Sequence, residues 1–144
     1  MVMVSRWFVV GAAALAGVGL ATSAALSDVS LGPEGPLRVV LTAAGTGRTA
    51  DCSAAAFEGT FFDGATVTVT DPAGTVVGAG EVDATGRATP DGCTWSLTFG
   101  DLTGADSYVV ELRREGTPPR VHTYDFTVTE LAEKDWTVWV SVFA

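Results

Sequence analysis

The stretch "ATVTVTDPAGTVVGAGEVDATG", Ala65 to Gly86, constrains the fold of this chain more than any other. Val67 and Val69 alternate with Thr66, Thr68 and Thr70, so apolar and hydroxyl side chains fall on opposite faces of an extended segment. Period-two alternation of β-branched residues predicts a half-buried strand. "DPAG" follows, with Pro72 at the second position of a turn, where its fixed φ fits. "TVVGAGEVD" predicts a returning strand whose glycines mark a bulge or close packing, and "DATG" a second turn.

The same grammar continues along the chain. "LRVVLTAAG" is the first strand candidate, and "AAAFEGTFF" a further one. In "CTWSLTF", Cys93, Trp95, Leu97 and Phe99 share one face. "SYVVELRR" puts Tyr108, Val110 and Leu112 together. "RVHTYDFTVTE" puts His122, Tyr124, Phe126 and Val128 on one face, with Val121, Thr123 and Asp125 on the other. "LAEKD" predicts a short connection or a single helical turn, and "WTVWVSVF" a closing strand with Trp136, Val138, Val140 and Val142 on one side. Beyond the first 30 or so residues no segment has a helical apolar period. Seven to eight short strands joined by Gly, Asp and Pro turns predict an all-β fold, an antiparallel β-sandwich of the Ig-like or transthyretin-like kind.

The N-terminus predicts export. Arg6 precedes an apolar stretch from Trp7 to Ala21, and "ATSAALS" supplies the small residues of a cleavage site after Ala24 or Ala25. This is the plan of a secretory signal peptide. The alternative is an uncleaved membrane anchor with the domain outside the cell, since Trp7 to Ser27 is uncharged and about long enough to span a bilayer. The expected organisation is a signal peptide over 1–25, a linker over 26–36 and a β-sandwich domain over 37–144. Two cysteines, Cys52 and Cys93, in a small exported chain predict one disulfide. Closing such a loop stabilises by about 4 kcal/mol in the chain-entropy picture.

Charge narrows the partners. The 144-residue chain carries 17 acidic residues against 8 Lys and Arg, a net charge of −9. Lys134 is its one lysine. Such a chain is a poor electrostatic match for nucleic acid, and membrane contact is expected only through an uncleaved N-terminal segment. The Arg-over-Lys, Ala/Gly/Val/Thr-rich usage suits a high-GC bacterial genome.

"GATVTVTDPAGTVVGAGEVDATG" together with "LTGADSYVVELRREG" resembles transthyretin-like modules of the carboxypeptidase-regulatory and adhesin B-type kind, which run strand, D-x-x-G turn, strand, D-x-x-G turn, then a Y-x-V-x-V strand. The resemblance covers Gly64 to about Gly116. The Lys–Asn crosslink common in adhesin modules is excluded, because the chain has no asparagine. Cys52 before the hairpin, Cys93 after it and the closing W-x-V-x-V are also similar to small exported actinobacterial proteins. The resemblance implies a compartment and a fold, and no activity.

Chemistry-bearing residues are few. His122 is the one histidine, so a Ser–His–Asp hydrolase would have to use it, with Asp125 or Asp106, yet no G-x-S-x-G elbow is present. Strands that alternate up and down would gather Asp71, Asp101, Asp106, Glu130, Glu133 and Asp135 at one end. That would make a weak calcium candidate, set against the ordinary use of Asp in turns. No cofactor is expected. Trp139 and Phe143 fall opposite the Trp136 face and form a candidate surface for carbohydrate or protein. Against this stands a second covered face, since a last strand often packs between sheets. Arg113, Arg114 and Arg120 flank "EGTPP" and, with Glu111 and Glu115 nearby, suit a solvated face. The expected protein is a secreted, non-enzymatic binding or structural module. The alternatives are a secreted inhibitor that presents "DPAG" or "EGTPP" to an enzyme, and a small hydrolase around His122.

Overall fold

Eight strands build two four-stranded sheets in a computed structural model that describes residues 35–48 and 50–144. The signal peptide and most of the linker expected before Pro36 lie outside the described residues. Among the described residues, no helix is long and apolar enough to cross a membrane.

Sheet A has the order β4 (Arg87–Thr89), β5 (Gly92–Asp101), β1 (Pro36–Ala43), β8 (Thr137–Val142). Sheet B has the order β3 (Val76–Glu81), β2 (Thr66–Thr70), β6 (Ser107–Arg114), β7 (Arg120–Thr127). The expected all-β sandwich is present. The alternating residues fall as their period demands: Val67 and Val69 are fully buried, as are Val110 and Leu112. Inner faces of both sheets contribute to one core, including Val39, Leu41, Trp95, Phe99, Tyr108 and Val138.

Five of the six strand pairs are antiparallel, as expected, and the sixth is parallel: β8 runs beside β1 with Val40 opposite Trp139. Parallel neighbours need a long connection, here the chain that builds the strands between them. Two expectations need correction. "AAAFEGTFF" is not a strand. Ala54–Phe57 forms a 3-10 turn, and the segment then folds on itself, with the Gly59 N–H donating to the Asp63 carboxylate at 2.8 Å. An alanine run lacks the β-branching that favours a strand. Its phenylalanines instead plug the core: Phe62 stacks on Trp95 at 4.2 Å between ring centroids, and Phe57 meets Trp95 edge-on at 4.9 Å. Finally, β8 is an edge strand of sheet A rather than one packed between sheets.

The remaining departures are local. Helix α1 (Val128–Glu133) takes Val128 from the expected strand. The Thr127 side chain accepts from the Glu130 N–H and the Glu130 carboxylate accepts from the Thr127 N–H, a reciprocal cap. The glycines of β3 serve the close packing that was one of the two roles expected of them: a Cβ on Gly78 would lie 2.8 Å from the Phe99 ring of the facing sheet. The register slip falls beside them, at Val77, which is skipped between Gly78 and Val76.

Candidate surface site on sheet A

The outer face of sheet A is set by strand register. On β5, inward Cys93 and Trp95 leave Thr94 and Ser96 outward. Across β1, Ser96 lies opposite Val40, and Val40 lies opposite Trp139 on β8. On the other side, Arg87 of β4 lies opposite Thr94. Arg38, two residues before Val40, reaches back so that its Nε donates to Ser96 Oγ at 2.9 Å. These residues, with Ala88, Thr89 and Pro90, line a shallow pocket of about 300 Å³.

Burial in this pocket is uneven. Val40 points outward yet is only 2% exposed, and Thr94 is similarly covered. Trp139, beside Val40, is 65% exposed. Among the described residues its ring contacts no other aromatic ring and no cation. An apolar floor, a free aromatic wall and hydroxyls at the far side make a surface that can take a flat, partly apolar ligand with polar edges.

The charge of the pocket runs against that of the chain. Among the described residues no carboxylate lines it, and Arg38 and Arg87 form no ion pair, whereas Arg113 pairs with Glu115 and Arg114 with Asp63. Glu115 holds the Arg113 proton more tightly than in a free guanidinium. Arg120 is also occupied: its Nη2 donates to the Phe143 carbonyl at 2.7 Å and its guanidinium lies 5.1 Å from the Phe61 ring centroid.

The residues singled out from sequence are distributed as follows. Cys52 and Cys93 form the expected disulfide, with Cα atoms 5.5 Å apart and both residues buried. It ties the 3-10 turn to β5. Trp139 and Phe143 are both outward, Phe143 being 75% exposed, so the covered second face is not what forms. Phe143 lies beyond the end of β8 and outside the pocket. His122 sits on edge strand β7, beside Arg120, with its ring edge-on to Phe61 at 5.2 Å. Its Nε2 is buried without a hydrogen-bond partner, and no hydroxyl or carboxylate is bonded to the ring.

The acidic candidates that the structure describes do not converge. Among the described residues no group of three or more His, Cys, Asp or Glu side chains could hold a metal ion. Asp71 accepts from the Ala73 and Thr75 N–H groups of its own turn, each at 2.9 Å. Glu130 caps α1, Asp106 accepts from the Val128 N–H through its backbone carbonyl, and the Asp101 side chain lies outside the described set. Sequence reading missed Arg38, Arg87, Thr94 and Ser96. Their alternation marked only an outward face, and their meeting depends on β4, β5, β1 and β8 lying side by side.

No family model, no curated protein and no solved structure matches this chain.

Proposed function

We propose that this protein is an exported, non-enzymatic module that binds a partner through the outer face of sheet A. The observation that carries the reading is Trp139, 65% exposed on the wall of a pocket with an apolar floor. An exposed indole beside an apolar floor offers a surface whose burial by a partner is favourable. A buried disulfide fits the extracellular compartment, and the N-terminal pattern of Arg6 and an apolar run supports export. The packing of His122 against Phe61, without a hydroxyl or carboxylate partner, supports a binding rather than a hydrolytic role.

Two measurements test this. The intact mass of the exported protein should lack the first 24 or 25 residues, with two thiols appearing only on reduction. A full-length mass in the membrane fraction, or free thiols without reduction, would overturn the secreted assignment. The purified domain should bind isolated cell-envelope or extracellular material, and Trp139→Ala should abolish that binding without lowering the melting temperature. Undiminished binding by the variant would move the surface elsewhere.

A second reading has one observation in its favour. The "DPAG" turn is pre-organised by Asp71, whose carbonyl accepts from Gly74 N–H while its carboxylate accepts from Ala73 and Thr75. A loop already ordered loses little entropy on docking, as an inhibitor of an enzyme needs. A protease panel without a single inhibited member would remove this reading.

A further inference from the structure

We infer that the pocket on sheet A takes a carboxylate-bearing saccharide, with Trp139 as the stacking platform and Arg38 and Arg87 as the carboxylate ligands. This inference rests on the proposal that sheet A is the binding surface, and it names the chemical class of the ligand.

The charge distribution carries the argument. The chain has 17 acidic residues, yet this pocket has two arginines and no acid. Among the described residues neither arginine forms an ion pair with a carboxylate. A guanidinium offers five donors in a planar fork that matches a carboxylate, so an unpaired pair of them on one face is suited to an anion. At physiological salt the screening length is about 8 Å, so only nearby charges act on a ligand in the pocket. Asp91, in the β4–β5 turn beside the lining residue Pro90, is the acid nearest the pocket in sequence; it lowers the local positive potential without being one of the lining groups.

The rest of the pocket selects a saccharide over a simple anion. Trp139 and Arg87 stand on strands separated by β1 and β5, roughly 14 Å apart at about 4.8 Å per strand. A small inorganic anion cannot touch both. Between them lie Val40, Ser96 and Thr94, an apolar floor edged with hydroxyls. A sugar ring presents C–H groups on its face and hydroxyls on its rim. The face can lie on the indole while the rim meets Ser96, which Arg38 already orients through its 2.9 Å hydrogen bond. An acidic sugar unit farther along the chain then reaches Arg87.

The test uses the disulfide-bonded domain and four probes measured by calorimetry: an oligogalacturonate, its fully methyl-esterified form, a neutral glucan oligomer and an oligoglutamate peptide. The expected result is binding of the oligogalacturonate alone, weakened by salt. Trp139→Ala and the pair Arg38→Ala with Arg87→Ala should each weaken it by roughly tenfold or more. Arg38→Lys with Arg87→Lys should recover only part of the affinity, because the ammonium keeps the charge and loses the fork. Unchanged melting temperatures confirm that all these exposed-site variants fold. Equal binding of the esterified or neutral sugar, lost in Trp139→Ala, would overturn the anionic ligand and leave the sheet A surface standing. Equal binding of oligoglutamate would overturn the saccharide in favour of an acidic protein segment. Binding of oligogalacturonate that survives every variant would overturn both the ligand and the surface. Absence of binding to all four probes would overturn the ligand class, while the envelope-binding experiment on Trp139→Ala would still decide the surface.

Discussion

At the scale of single residues, the sandwich is packed to the limit at places where glycine is required. A Cβ on Gly86 would lie 2.6 Å from the Trp95 ring, which is itself stacked on Phe62 and 3% exposed. The indole has nowhere to go without disturbing that stack. Gly86→Ala should therefore lower stability by about 1–3 kcal/mol through overpacking. Gly100→Ala, where a Cβ meets nothing within 4 Å, should stay within about 0.5 kcal/mol of the parent. Urea midpoints of the two variants check this directly, and equal midpoints would show that the core around Trp95 yields. The same residue scale distinguishes Trp95 from Trp139. One ring fills the core beside the disulfide, and the other is left on the outer face with no ring partner.

Among the elements, α1 is the one that local chemistry defines most completely. Six residues are too few for a helix to hold itself in water. The reciprocal cap between Thr127 and Glu130 and the burial of Leu131 compensate. Hydrogen bonds from the Thr127 N–H and then its hydroxyl hold the Glu130 carboxyl below its ordinary value. A depressed folded-state value means that the cap's contribution is present above the unfolded glutamate value. It is lost as pH falls through the lower, folded value. Thr127→Ala removes one of the two donors, so the Glu130 value should rise part of the way back. Carboxyl titration by NMR reads this shift, and an unmoved value would show that the hydroxyl does not contribute. Strand β3 is the opposite case. Its Gly78 and Gly80 leave room for Phe99 and Leu97 of β5, and its Val76 and Val77 are left exposed, so its place is set by the sheet it faces more than by its own residues.

For the whole molecule, the decisive contact is the parallel pairing of β1 with β8. The final strand sends Val138, Val140 and Val142 into the core, and Trp136 is buried just before it. Each valine contributes roughly 1.5–3 kcal/mol by burial, so three together rival the 5–15 kcal/mol by which a typical domain is stable. Deleting residues 136–144 should leave a chain without cooperative unfolding, seen by circular dichroism and rapid proteolysis. A truncated chain that still melts cooperatively would show that β5 alone can support β1. Because β8 also carries Trp139, the strand that closes the core is the strand that walls the pocket. Stability and binding are thus separable only by side chain: the even positions Trp136, Val138 and Val140 hold the core, and Trp139 faces out.

Much of this architecture could be read from local pattern. Alternation named the buried faces of β2, β5, β6 and β8 and the half-buried face of β7, because a strand's side chains project by a period of two whatever its neighbours are. Turn chemistry placed "DPAG" for an equally local reason, since proline and glycine restrict their own dihedrals. Cys52 and Cys93 formed the expected bridge because a chain with two cysteines has one way to pair them. The parallel direction of β8, the 3-10 turn at Ala54–Phe57 and the meeting of Arg38, Arg87, Ser96 and Trp139 were not legible in this way. Each depends on which strands become neighbours. That choice is made by the summed burial of both sheets and by loop closure across tens of residues, and no short stretch of the chain contains it.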